Sequence, residues 1–205
     1  MEQNEIKADI AGMLARLLAR PDEELVSALN SGELGKALNP YLNLPGPAAG
    51  FPDGGYTLDG LTAMHDKTMG PASRRALLPV ESLFKLWCDD EGSHPSNAAR
   101  GLLMGDPAMH MLELYRRYGI EVPAEFSGQP DHLVLELEFL SMLYEKCSVK
   151  VIERFIMDHL DWVPDLLMHW REMKVPEFYL RAAGTIDIFL EKEMSGFRCY
   201  QEVHA

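Results

Sequence analysis

The sequence predicts an all-α fold: one multi-helix bundle built around a central apolar helix spanning about 131–146. Three observations carry this. Apolar residues recur at three- and four-residue spacing along most of the chain. Helix start and stop residues bracket those runs, as with Asp106-Pro107 and Gly119. No segment shows sustained two-residue alternation bounded by hairpin turns.

The elements follow in order. Ile6, Ile10, Met13, Leu14, Leu17 and Leu18 lie at helical spacing, and Pro21-Asp22-Glu23-Glu24 starts a short second helix carrying Leu25 and Leu29. From Asn39 to Gly55 four prolines and several glycines predict a long loop (39–55), of a length that permits a lid or a crossover. A helix over Leu58–Met69 closes at Gly70-Pro71, and another begins near Pro79 and carries Leu83, Phe84 and Trp87. Asp106 as N-cap, Pro107 at the first helical position and Gly119 as the stop define the next. The central helix from Asp131 to Lys146 is apolar on nearly every face. Val151–Leu160 follows, Pro164 interrupts or restarts it, and Pro176–Ser195 ends at Gly196.

A chain of 205 residues with 47% hydrophobic content suits one domain over 1–205. The net charge of −13, from 19 basic and 32 acidic residues, argues against a nucleic-acid binder, which needs Lys and Arg to displace counterions. A cationic partner fits better. Cys88, Cys147 and Cys199 form no CxxC pair, so neither a disulfide framework nor a cysteine zinc site is signalled. The start Met1-Glu2-Gln3-Asn4-Glu5 lacks a basic region before an apolar run, and no segment reaches ~18 uninterrupted apolar residues. A soluble protein of the reducing cytoplasm, without membrane insertion, is expected.

Recognisable catalytic patterns are few. Gly32-Glu33-Leu34-Gly35-Lys36-Ala37 lacks the first glycine of a phosphate loop, Asn30 standing there, and Ala37 has no hydroxyl for magnesium. Glu136 and Glu138 lie about 160° apart around a helix and cannot make one catalytic dyad. Glu136 has Phe139, Leu140 and Leu143 as wheel neighbours, so it needs an Arg or a backbone donor from another helix as buried polar support. Metal ligation is the competing chemistry, with Asp131, His132, His159 and Asp161 serving a helical metal-dependent enzyme. Asp158 and His169 are further candidates near Pro164, and Asp89-Asp90-Glu91 is either a magnesium-binding acidic cluster or, as is commoner, a solvated charge run in a loop. Taken alone, Asp131 reads as a helix-starting residue and His132 as a surface residue.

Four segments in order change that weighting: Pro79-Val80-Glu81-Ser82-Leu83-Phe84, Gly101-Leu102-Leu103-Met104-Gly105-Asp106-Pro107, Pro130-Asp131-His132, and His159-Leu160-Asp161-Trp162-Val163-Pro164. Together they resemble the TorD/DmsD family of redox-enzyme maturation chaperones, over roughly Leu58 to Leu190. The resemblance implies an all-helical, cytoplasmic, non-enzymatic chaperone without a resident cofactor or metal. Its partner would be the precursor of a molybdenum-cofactor oxidoreductase catalytic subunit, whose N-terminal, often twin-arginine, signal it holds during folding and cofactor insertion. Weak guanine-nucleotide binding and a monomer or domain-swapped dimer also come with the resemblance. It carries ligand binding to Asp131, His132, Glu81 and Phe84. One departure stands out: Met64-His65-Asp66-Lys67-Thr68-Met69 precedes Gly70-Pro71 where relatives carry an aromatic residue and Leu-Phe.

A twin-arginine signal joins a cationic start to an apolar middle, so its receptor needs an apolar groove with a carboxylate rim. Leu83, Phe84 and Trp87 are expected to line it, with Glu81 and Asp131 at the rim meeting the arginines and His132 as a hydrogen-bonding or charge-sensing neighbour. The 12 methionines are available for an adaptable apolar surface, although core packing is their commoner use.

Overall fold

The computed structural model describes residues 2–43, 51–52, 54–70, 73–74, 77–85 and 102–204. Its elements are α1 (Glu2–Leu18), α2 (Glu23–Asn30), α3 (Glu33–Leu42), α4 (Leu58–Thr68), α5 (Glu81–Phe84), α6 (Asp106–Tyr118), α7 (Leu133–Lys146), α8 (Val149–His159), α9 (Val163–Glu172) and α10 (Glu177–His204). Among the described residues there is no strand, only an isolated antiparallel bridge between Val80 and His132. The all-α class is as the apolar periodicity dictates.

Helix α7 lies at the centre because nearly its whole circumference is apolar. Leu133, Leu137 and Leu140 are fully buried, and Leu135, Phe139, Leu143 and Tyr144 nearly so. It packs most extensively against α1, which contributes Ile10, Leu14, Leu17 and Leu18. The Ser141 hydroxyl donates across that crossing to the Ala8 carbonyl at 2.8 Å. Burying one leucine of this kind contributes about 2 kcal/mol, so the seam dominates local stability.

At the far end of the core, Glu193 is a buried tie between helices. It pairs with Lys7 of α1 at 2.8 Å and accepts hydrogen bonds from Tyr41 of α3 and, at 2.7 Å, from Tyr144 of α7. Each orphaned lone pair there would cost about 1–3 kcal/mol, which fixes α10 against three helices.

Several boundaries depart from the sequence reading. Helix α3 over 33–42 has no counterpart in the sequence reading, and it makes residues 39–42 helical rather than loop; 44–50 and 53 lie outside the described residues. Leu34, Leu38 and Leu42 are buried at four-residue spacing, and their burial offsets the hydrogen bond lost at Pro40. The predicted helix from Pro79 is four residues long as α5, and Trp87 lies outside the described residues. Gly105 is the cap of α6, with Asp106 already helical, while Gly119 ends it at φ +69° as expected.

Helix α10 passes through Gly196 instead of stopping there. A glycine ends a helix only where the chain turns left-handed. Here the apolar spacing continues to Phe197, which is buried against the core. Pro164 restarts the chain in the first turn of α9. No helix among the described residues is long and apolar enough to cross a membrane.

Candidate functional site

The short helix α5 is held from outside. Its N-cap, Val80, has no side chain to accept a hydrogen bond. Asp131 supplies the missing acceptor: its Oδ2 receives the Ser82 backbone N–H at 2.7 Å and the Ser82 hydroxyl as well. Backbone bonds complete the junction, Glu81 N–H to the Asp131 carbonyl and Leu133 N–H to the Pro79 carbonyl, both at 2.9 Å. Asp131 therefore starts α5, 49 residues away, and not the helix beside it.

That neighbouring helix, α7, is capped by His132, whose Nδ1 accepts the Val134 N–H at 3.2 Å. The ring is buried against Phe126, 4.9 Å between centroids, and is no surface residue. Burial pushes its pKa down to about 3, with His65 adding to the shift. Tyr115 of α6 braces the same turn by donating to the Pro130 carbonyl at 2.9 Å.

Gly105 completes the packing around Ser82. A Cβ there would stand 3.4 Å from the Ser82 Cβ and Oγ, at the near edge of ordinary contact, so the α6 entrance packs directly on Ser82. Met104 before it takes φ +60° to make the turn.

Below α5 runs a chain of polar groups, in which Glu81, Glu136 and His159 are buried and His110 and Lys85 half-buried. His110 Nδ1 lies 2.7 Å from His159 Nε2, and His159 Nδ1 lies 2.8 Å from Glu81 Oε2. Lys85 Nζ is 3.7 Å from the other Glu81 oxygen. Glu81, Glu136 and His159 are all buried, with one possible ligand atom from each within 4.8 Å of the others. Neither Glu136 oxygen has a hydrogen-bond partner among the described residues. Its pKa is raised well above 4.5, by burial first and then by Glu81 and Asp131. The Trp162 indole, which donates to the His159 carbonyl at 2.8 Å, opposes the shift. The Arg or backbone donor expected for Glu136 is thus replaced by two neighbouring carboxylates that favour its neutral form.

Glu81 and Asp131 are fully buried, which corrects the expectation that they stand at a rim. Glu81 Oε2 meets His159 Nδ1 and Asp131 Oδ2 accepts both Ser82 bonds, whereas Asp131 Oδ1 has no hydrogen-bond partner among the described residues. Asp131, with its pKa raised by burial against the opposing Ser82 bonds, is an internal support. Leu83 and Phe84 are half-buried, and the Phe84 ring stacks on Trp162 at 5.2 Å and meets His169 edge-on at 5.8 Å.

The metal quartet of the sequence reading is not assembled. Asp131 bonds Ser82, His132 caps α7, His159 bonds Glu81 and His110, and the half-exposed Asp161 pairs with Lys85 at 2.6 Å. The cluster that does form uses Glu81 and Glu136 in their place. Both ring nitrogens of His159 are already at hydrogen-bond distance from protein groups, which favours a hydrogen-bonded relay over a coordination shell.

Two open grooves flank this junction, each of about 540 Å³. One lies between α6, α7 and α8, with Lys150 and Arg154 at its edge and His110 and His159 in its wall. The other lies between α8, α9 and α10, where Asp161, Asp187 and Glu191 surround Leu160, Leu190 and Met194. Sequence reading missed Asp187 and Glu191. The available signal was two acidic residues one helical turn apart beside Leu190 and Met194.

The family described as nitrate reductase delta subunit matches residues 56–168. The chain is 30% identical over 101 residues to the chaperone protein TorD of Aliivibrio fischeri, covering 47% of this chain and 42% of that one. It is 28% identical over 120 residues to the chaperone protein TorD of Vibrio cholerae, covering 51% and 54%. With the TorD of Aliivibrio salmonicida it shares 32% over 73 residues, 34% of each chain. The chain thus spans about half, or less, of the length of these curated relatives.

Proposed function

The chain belongs to the nitrate reductase delta subunit family, whose TorD chaperones its motifs resemble, and from that membership we propose that it is a molybdoenzyme maturation chaperone. It would bind the N-terminal region of an oxidoreductase catalytic-subunit precursor in the cytoplasm and keep it from export until folding and cofactor insertion are complete. In this reading the chain is not an enzyme and carries no cofactor of its own.

One observation carries the proposal. The four segments behind the resemblance converge on α5: Asp131 and Gly105 meet at Ser82, His159 bonds Glu81, and Asp161 bonds Lys85. Segments scattered over some 80 residues of sequence thus converge on one short helix whose Leu83 and Phe84 are half-buried, and that suits a recognition surface. Leu83, Phe84 and Trp87 are the apolar contacts of this proposal. Glu81, Asp131 and His132 act behind them, holding the segment in place, with Glu136 as the neutral support beneath.

The test is titration with synthetic N-terminal peptides of the twin-arginine molybdoenzymes encoded in the same genome, alongside retention of full-length precursors. Micromolar binding, about −8 kcal/mol, supports the reading. If neither peptide nor precursor is held, the chaperone assignment fails.

A further inference from the structure

We propose that the groove between α8, α9 and α10 seats the cationic-then-apolar stretch of the client's N-terminal segment, with its basic side chains on Asp187, Glu191 and Asp161. This rests on the chaperone reading and goes beyond it by naming the seat.

The groove, about 540 Å³, holds several side chains. Leu160 and Leu190 form a buried aliphatic floor, while Met157, 48% exposed, and Met194 bring flexible thioethers that adapt to varied apolar partners. Asp187 and Glu191 stand one turn apart on α10, where like charges repel. Burial first and then Glu191 raise the Asp187 pKa, with Arg171 opposing. An arriving guanidinium relieves that repulsion and can take both carboxylates.

Charge decides between the two grooves of equal size. The one between α6, α7 and α8 also carries Asp158, but Arg154 pairs with it at 2.5 Å and Lys150 adds a positive charge, so it suits a cationic segment less than the groove with Asp161, Asp187 and Glu191. The acidic groove also continues into the motif junction, because Asp161 on its rim is bonded to Lys85, which donates to the Asp158 carbonyl at 2.7 Å as well. A basic side chain entering at Asp161 competes with Lys85 and so meets the α5 segment directly.

The experiment is a double-mutant cycle by calorimetric titration. The probes are a twin-arginine peptide from a molybdoenzyme of the same genome and the same peptide with both arginines changed to glutamine. We expect Asp187→Asn/Glu191→Gln to weaken the arginine peptide about tenfold at low salt, to weaken it less at high salt, and to leave the glutamine peptide nearly unaffected. Met157→Arg, at an exposed position, should abolish binding of the arginine peptide while circular dichroism shows an intact fold. Wild-type affinity in either variant overturns the seat while leaving the chaperone reading intact. So does equal weakening of both peptides, or a groove that instead mediates self-association lost in Met157→Arg. Failure of wild-type protein to hold any peptide or precursor overturns the chaperone reading itself.

Discussion

His159 Nδ1 stands 2.8 Å from Glu81 Oε2 with both side chains buried, although 78 residues separate them in sequence. This contact bolts the four-residue α5 to the end of α8. His159→Phe keeps the stacking on Phe155 but removes the hydrogen bonds to Glu81 and His110. We expect unfolding free energy to fall by about 2 kcal/mol in urea titrations. A change below about 0.5 kcal/mol would show that the contact is not structural.

Asp131 should behave as a structural carboxylate and not as a surface charge. Asp131→Ala leaves the Ser82 N–H and hydroxyl without their acceptor in a buried site, costing about 2 kcal/mol. Asp131→Asn should weaken peptide binding equally at low and high salt, because the carboxylate is fully buried and is already used by the two Ser82 bonds. A steep salt dependence would place Asp131 in direct contact with the arginines.

Two buried groups give opposite pH dependences. His132, with its pKa pushed down to about 3, stays neutral in the fold, whereas the unfolded chain takes up a proton near the ordinary 6.5. Its contribution is complete above that value and is lost as the pH falls toward 3. Glu136, raised well above 4.5, keeps a proton that the unfolded chain releases. Its contribution is complete below about pH 4.5 and is lost as the pH rises through its raised value. Glu136→Gln should therefore gain stability relative to wild type between pH 5 and pH 8 in thermal melts. A constant difference across that range would contradict the assignment.

Leu137 is fully buried at the centre of α7. Leu137→Ala removes its apolar contacts and leaves a cavity, with an expected cost of about 3 kcal/mol by chemical denaturation.

Phe84→Ala separates binding from folding. The ring is only half-buried, so its loss should cost about 1 kcal/mol of stability while lowering peptide affinity by about tenfold. Unchanged affinity would remove Phe84 from the binding surface.

The sequence alone determined the all-α class, the central helix, most helix starts and the family, because each depends on local spacing or on short motifs. Leu133, Leu137 and Leu140 lie on one face by helical geometry whatever surrounds them. It did not determine α3, which runs through Pro40, or that α10 runs through Gly196, since burial against distant helices outweighs a local preference of about 1–3 kcal/mol. Nor could it show what Asp131 and Glu81 do. A carboxylate at a helix start looks the same in sequence whether it faces solvent or a serine 49 residues away. Only packing placed Asp131 on Ser82, left Glu136 between two carboxylates, and gathered Asp161, Asp187 and Glu191 around an apolar groove. The physical reason is that burial and charge pairing belong to contacts between elements, which no spacing along the chain encodes.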